Sequence, residues 1–113
     1  MIEMLKSKIH NATITGADLY YEGSIKISKN LLDTAKMYPH QRVSIANINN
    51  GNRFDTYIIA TDEPGVICLN GAVARMVSVG DSVIIMAYEM IEEEKAIRHN
   101  PTVILLDKSN SIC

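Results

Sequence analysis

Short segments in which apolar and polar residues alternate constrain the fold of this sequence more than any other feature. The alternation is typical of strands that bury one face. Proline, glycine, asparagine and aspartate recur between the segments, where turns are expected. The pattern predicts a mainly β protein with six or seven short strands and one or two short helices. So many short strands would leave exposed edges, and we therefore expect a small closed or partly closed barrel.

The boundaries of the expected strands follow from the turn residues. Residues 2–9 and 11–15 are predicted to be strand material on either side of a break, and further strands are predicted over residues 24–28, 43–48, 53–60, 66–69, 82–88 and 102–106. The sequence NNGN at residues 49–52 predicts a tight type I′ hairpin, because Asn-Gly accepts the positive φ angles of that turn.

The helical signals are weaker and local. Residues 31–37 are expected to form a short helix that Asn30 caps and that ends before Pro39, since the residue preceding a proline disfavours the α region. Residues 71–74 are small and could begin a helical turn. The acidic run at 91–95 is expected to be a solvated loop or a short exposed helix.

Length and charge limit the classes of function. A chain of 113 residues suits one domain spanning 1–113. Its net charge of −2 weighs against a nucleic-acid binder, which needs a clustered basic surface. No apolar run is long enough to cross a bilayer and the first residues lack a signal peptide, so we expect a cytoplasmic protein without a membrane partner. Cys68 and Cys113 are expected to be one buried and one terminal free thiol, and we expect no metal site because the three histidines lack ligand spacing.

The Gly23-Ser24 pair lies at a turn directly before a predicted strand. Alone it is an ordinary turn dipeptide. The pair becomes informative when it is considered with four other stretches of this sequence. The five stretches that together match one known family are MLKSKIH, ADLYYEGSI, NNGNRFDTYII, NGAVARMVSVGDSVII and the late Pro-Thr-Val. In this order and spacing they resemble the aspartate 1-decarboxylase family, the pyruvoyl-dependent enzymes that supply β-alanine for pantothenate synthesis. The resemblance covers nearly the whole chain.

The resemblance implies that the chain cuts itself between Gly23 and Ser24. Residues 1–23 and 24–113 would stay together as two chains of one barrel, and Ser24 would become a covalent pyruvoyl group. Loss of CO2 from aspartate leaves a carbanion next to nitrogen, and a ketone bound to the substrate amine is the electron sink that this requires. No metal and no pyridoxal phosphate would be needed. The family fold is a six-stranded barrel of the double-psi type, assembled as a homotetramer with its sites between subunits; some members need a helper protein for cleavage.

The resemblance also assigns roles to site residues. Thr56 would donate a hydrogen bond to the oxyanion of the self-cleavage step, and Tyr57 would protonate the carbanion. Lys8 and Arg53 would hold the two carboxylates of L-aspartate, a task suited to a bidentate guanidinium. Further residues would line or support the site: Gly71, Ala72 and Val73 against the substrate, and His10, Tyr21 and Asn70 around it.

Two positions depart from the family pattern. Ala46 stands where many members carry a bulky aromatic residue, and Val73 replaces a more usual alanine. Both could reshape the pocket wall. Two other functions remain open on sequence grounds: a pyruvoyl decarboxylase for a different amino acid, and a small non-enzymatic β-barrel that binds a partner or regulates transcription.

Overall fold

A computed structural model describes residues 1–113 as eight strands, one α-helix and two 3-10 helices. The elements in chain order are β1 (Ile2–Thr13), β2 (Gly16–Asp18), β3 (Ser24–Ser28), α1 (Lys29–Ala35), β4 (Arg42–Asn47), β5 (Arg53–Thr61), β6 (Ile67–Asn70), a 3-10 helix (Gly71–Met76), β7 (Ser82–Ile91), a second 3-10 helix (Glu93–Arg98) and β8 (Thr102–Leu105). The strands are hydrogen-bonded in the order β2-β6-β3-β5-β4-β7-β1-β8. The predicted mainly β fold with short helices is therefore confirmed.

Aliphatic side chains fill the core, as the absence of tryptophan requires. Alternation turns one isoleucine from each of five strands fully inward, and these are Ile9, Ile25, Ile45, Ile58 and Ile85. The helix α1 adds Leu31, Leu32 and Ala35 to the same core. The opposite faces of the strands are consequently free to carry polar groups.

A link of two residues joins β1 to β2, which lie near opposite ends of the sheet order. The backbone of this link stays hydrogen-bonded: the Ile14 amide donates to the Asp81 carbonyl at 2.9 Å, and the Thr15 amide donates to the Ile67 carbonyl at 2.8 Å. Eight strands are present where six or seven were predicted, since β2 is an additional short strand. Closure as a six-stranded double-psi barrel stays a prediction.

Two predicted boundaries are wrong. The break expected near residue 10 is a bulge inside one continuous strand, where Asn11 adopts a φ of 61° and the β1–β7 register shifts. The helix begins two residues earlier than predicted, at Lys29, because the chain turns directly from β3 into α1. Asn30 therefore lies inside the helix rather than capping it, and Lys36 ends the helix with a φ of 58°.

The hairpin at NNGN is confirmed, but its turn type is not. A type I′ turn requires positive φ at both central residues, and in this loop only Gly51 has one, at 76°. The loop is wider than predicted because its asparagines bond elsewhere. The side-chain amides of Asn50 and Asn52 donate to the Met76 carbonyl at 3.1 and 3.2 Å.

The remaining local predictions agree with the structure, except that β7 continues to Ile91, past the predicted end at residue 88, and that Cys68 is only half-buried. The small-residue segment forms the 3-10 helix Gly71–Met76, and the acidic run leads into the exposed 3-10 helix Glu93–Arg98. Cys68 is a half-buried free thiol and Cys113 an exposed one. None of the helices has the length and apolar character that crossing a bilayer would demand.

Candidate active site

The Gly23-Ser24 bond joins an exposed residue to a buried one. Gly23 ends the exposed loop after β2, whereas Ser24 begins β3 and is 1% exposed. Ile25 and Ile27 of this strand point into the core, so Ser24 lies on the opposite face of the sheet. Its burial there must come from neighbouring elements, and two of them supply it.

The first neighbour is Asn70, the last residue of β6. Ser24 and Asn70 are direct cross-strand partners in the antiparallel β3–β6 pair. The Asn70 side-chain amide is 2% exposed and donates from Nδ2 to the Ser24 Oγ at 3.1 Å. The Ser24 hydroxyl donates in turn to the Glu22 carbonyl at 3.4 Å. The hydroxyl oxygen thus receives a hydrogen bond while its proton points away, toward the loop.

The second neighbour is Gly71, which starts the 3-10 helix. A Cβ atom on this residue would lie 2.7 Å from the Gly23 Cα, 2.9 Å from the Gly23 nitrogen and 3.2 Å from the Tyr21 carbonyl oxygen. Its φ of 77° is also a conformation that only glycine adopts without strain. Gly71 therefore holds the chain against the backbone of residues 21–23 in a way that no other residue type permits.

Thr56 and Tyr57 lie on β5, which runs parallel to β3. The register pairs Ile25 with Ile58. Counted back by one and two residues beyond the paired part, the same register would align Tyr57 with Ser24 and Thr56 with Gly23. Thr56 is half-buried and Tyr57 is 38% exposed, as alternation requires of adjacent strand residues. The two side chains therefore lie on opposite faces of β5.

Lys8, His10 and Arg53 lie on the outer face of a different part of the sheet. Arg53 is four residues from Tyr57 along β5, or roughly 13 Å. Lys8 is on β1, three strand spacings from β5, or roughly 14 Å. Neither cation takes part in the chain's single ion pair. The Nδ1 atom of His10 is buried and has no hydrogen-bond partner within the chain. The chain thus holds a Gly23-Ser24 centre and, on another part of the sheet, a group of outer-face cations.

The departures from the family pattern fall in these two places. Ala46 pairs with Arg53 on one side and Ile84 on the other, so the small side chain lies beside the residue expected to bind a substrate carboxylate. Val73 packs against the core cluster, whereas Ala72 beside it is exposed. The extra bulk of Val73 is therefore accommodated by the core as well as by the pocket wall.

Sequence reasoning missed a polar group next to Arg53. The Asp55 carboxylate accepts a hydrogen bond from the Ser44 hydroxyl at 2.7 Å and pairs with the Arg42 guanidinium. The Ser44 bond and then the Arg42 bond hold the pKa of Asp55 below its usual range. These three residues, with Glu3 and Tyr88 among others, line an open cavity of about 490 Å³. To predict this group from the sequence, the register of the β4–β5 hairpin would have to be known.

Known proteins resemble this chain along nearly its whole length. The family model described as aspartate decarboxylase matches residues 1–113. The chain is similar to proteins named aspartate 1-decarboxylase: it is 54% identical to one from Clostridium botulinum strain 657 and 53% identical to one from Clostridium acetobutylicum, in each case over 98% of this chain and 88% of the relative. A structural neighbour is a rationally designed protein with a TM-score of 0.49 and 15% identity, covering 67% of this chain and 90% of its own.

Proposed function

The chain belongs to the aspartate decarboxylase family, and we propose that it converts L-aspartate to β-alanine and CO2 after cutting itself between Gly23 and Ser24. The observation that carries the proposal is the buried hydrogen bond from Asn70 to the Ser24 oxygen, beside the close backbone contact between Gly71 and Gly23. By its family, the product would feed pantothenate synthesis.

Self-cleavage begins with the Ser24 oxygen. It attacks the Gly23 carbonyl carbon, which converts the amide into an ester and frees the nitrogen of residue 24. Elimination then removes the Cα proton of residue 24 and breaks its Cβ–O bond, leaving a carboxylate on Gly23 and a Cα=Cβ double bond in residue 24. Water adds and ammonia leaves, which turns residue 24 into a pyruvoyl group. Residues 1–23 and 24–113 remain associated because β1 and β2 are paired with strands of the larger piece.

The neighbours of Ser24 fit this step. The Asn70 N–H stabilises negative charge on the Ser24 oxygen as its proton leaves. Thr56, level with Gly23, supplies the hydroxyl that stabilises the oxyanion on the Gly23 carbonyl. The close approach of Gly71 leaves no room for a side chain of residue 71 beside that peptide.

Decarboxylation then uses residues of this chain to bind and to protonate. The pyruvoyl carbonyl supplies the electron sink. Tyr57, level with residue 24, delivers the proton that replaces the departing carboxyl group. Arg53 and Lys8 bind the substrate carboxylates, and both are free of ion pairs within the chain. Two unpaired cations favour a dicarboxylate over the basic or apolar amino acids of the alternative decarboxylases.

The site is completed between subunits. The backbone of Arg53 lies roughly 13 Å from that of Tyr57 and the backbone of Lys8 roughly 14 Å from β5, which is more than an aspartate molecule spans. A second copy must therefore bring its cations to the first copy's centre, and the unpartnered Nδ1 of His10 is a group that such a contact could satisfy. We propose the homotetramer of the family for this assembly, in the cytoplasm, with or without a maturation helper.

We also propose that the sheet closes as the six-stranded double-psi barrel. The two-residue link between β1 and β2 supports closure, because it ties the β2 end of the sheet order to β1 near the other end. Two of the eight strands would then lie outside the six, and β8, at one end of the sheet order, would be one of them.

Intact mass under denaturing conditions tests the proposal. Self-cleavage yields a 23-residue piece and a piece of the remaining 90 residues whose N-terminus is a ketone. The Ser24→Ala chain should stay whole. Turnover of aspartate, glutamate, histidine and arginine by the processed enzyme separates the substrates. A wild-type chain that stays whole even with cell extract present, and forms no β-alanine, would overturn the proposal in favour of a binding protein.

A further inference from the structure

Cys68 lies two residues before Asn70 on β6 and on the same face of the sheet. Ile67 and Leu69 point into the core, so Cys68 and Asn70 both point toward the Ser24 side. The Cys68 Sγ is 3.5 Å from the Asn70 Oδ1, within hydrogen-bonding distance for a thiol donor. Burial raises the pKa of the Cys68 thiol, which keeps it protonated and able to donate at neutral pH.

This contact bears on the orientation of the Asn70 amide. The two ends of an amide differ in chemistry: Nδ2 only donates, and Oδ1 only accepts. The orientation in which Nδ2 donates to the Ser24 oxygen leaves Oδ1 turned to the Cys68 thiol, which is a donor. The opposite orientation would turn the Oδ1 lone pairs toward the Ser24 oxygen and remove the stabilising N–H from it.

We propose that Cys68 is a positioning residue for self-cleavage, whose thiol holds the Asn70 amide in the orientation that donates to Ser24. The inference rests on the proposed function and extends it by one residue. Cys68 does not touch the reacting atoms; it acts through Asn70.

A substitution at Gly16 offers a second, independent way to displace the Cys68 thiol. Gly16 pairs with Cys68 in the β2–β6 register, and a Cβ atom on Gly16 would lie 3.1 Å from the Cys68 Sγ. Its φ is not positive, so alanine can adopt its backbone conformation. Gly16→Ala should therefore push the thiol aside by a few tenths of an ångström without straining β2.

The test measures the rate of self-cleavage by intact mass. Cys68→Ala should slow it by about three- to tenfold, the range expected for one weak hydrogen bond. Cys68→Ser restores a donor and should cleave within about twofold of wild type. Asn70→Ala should be slower than either single variant, and adding Cys68→Ala to it should slow it no further. Thermal unfolding of the four chains checks that each is folded.

Gly16→Ala tests the same contact without removing the thiol, and its cleavage rate can be measured even if Cys68→Ala folds poorly. It should slow cleavage when Cys68 is present and have no effect in the Cys68→Ala chain, where the space beside it is vacant. Equal cleavage rates for wild type, Cys68→Ala and Gly16→Ala would overturn this inference while leaving the proposed function standing. Failure of the wild type itself to cleave would instead overturn the proposed function.

Discussion

Gly71 packs against Gly23 so closely that a Cβ atom on Gly71 would lie 2.7 Å from the Gly23 Cα. The atoms it would strike are backbone, so no side-chain rotation could relieve the contact. The peptide to be cut is thus held between Ser24, which attacks it, and a glycine whose missing side chain allows it to stay in place.

Gly71→Ala should therefore abolish self-cleavage by displacing residues 21–23. Gly51→Ala is a matched control, because Gly51 has a φ of 76° against 77° for Gly71 but nothing within 4 Å of its would-be Cβ. Both variants should lose about 1–2 kcal/mol of unfolding free energy from the left-handed backbone alone. Mass spectrometry should find Gly51→Ala cleaved and Gly71→Ala whole; cleavage of both at the same rate would show that the close contact is unimportant.

Tyr57→Phe should separate the two reactions. Tyr57 is proposed to act as the proton donor in decarboxylation and has no part in the acyl shift. Self-cleavage should proceed at the wild-type rate, whereas kcat for β-alanine formation should fall by about 10²–10⁴-fold, the usual contribution of a positioned acid. Tyr88→Phe is the control, since Tyr88 is also a partly exposed strand tyrosine, 39% against 38% exposed, but lies on β7. A processed Tyr57→Phe chain with unchanged kcat would exclude Tyr57 as the donor.

The sequence predicted most of the strands because alternation is a local signal, and Ile25 or Ile45 in the core follows from it directly. The errors occur where tertiary contacts decide. Asn50 does not adopt the positive φ predicted for it because its amide bonds the Met76 carbonyl, 26 residues away. Asn30 is not the N-cap because the helix begins directly after β3, which makes Ser28 the N-cap residue. The preference of asparagine for N-cap positions does not predict this direct strand-to-helix connection.

For the candidate site, too, some residues could be predicted from the sequence and others depend on tertiary contacts. Ser24, Thr56, Tyr57 and the cations were found through their resemblance to a family, since Gly-Ser alone is uninformative. Cys68 and the Arg42–Asp55 pair were missed because their roles depend on register: only the pairing of β4 with β5 sets Ser44 opposite Asp55. That pair in turn occupies Asp55, two residues from Arg53, and leaves the Arg53 guanidinium without a carboxylate partner.

Asp55→Asn should lower the thermal midpoint at pH 7 slightly, by no more than about 2 °C, because an exposed pair contributes little. The pKa of Asp55 is lowered in the folded state, first by Ser44 and then by Arg42. Its contribution is therefore full above the unfolded pKa and is lost as pH falls through the folded one. Melting curves from pH 7 down to about 3 should show the two chains converging. A difference that grows toward low pH would contradict the assignment.

Mixing two inactive chains should restore activity if the cations of one subunit serve the centre of another. Arg53→Ala retains Ser24 but lacks the substrate cation, and Ser24→Ala retains Arg53 but cannot form the ketone. In a random mixed assembly about one quarter of interface sites combine an intact Ser24 with an intact Arg53 from a neighbouring chain. Co-expressed chains should therefore recover about a quarter of wild-type turnover per subunit, whereas separately produced chains assayed together at once should recover almost none. If Arg53 instead served the Ser24 of its own chain, every mixed site would lack one of the two groups, and co-expression would leave the protein inactive.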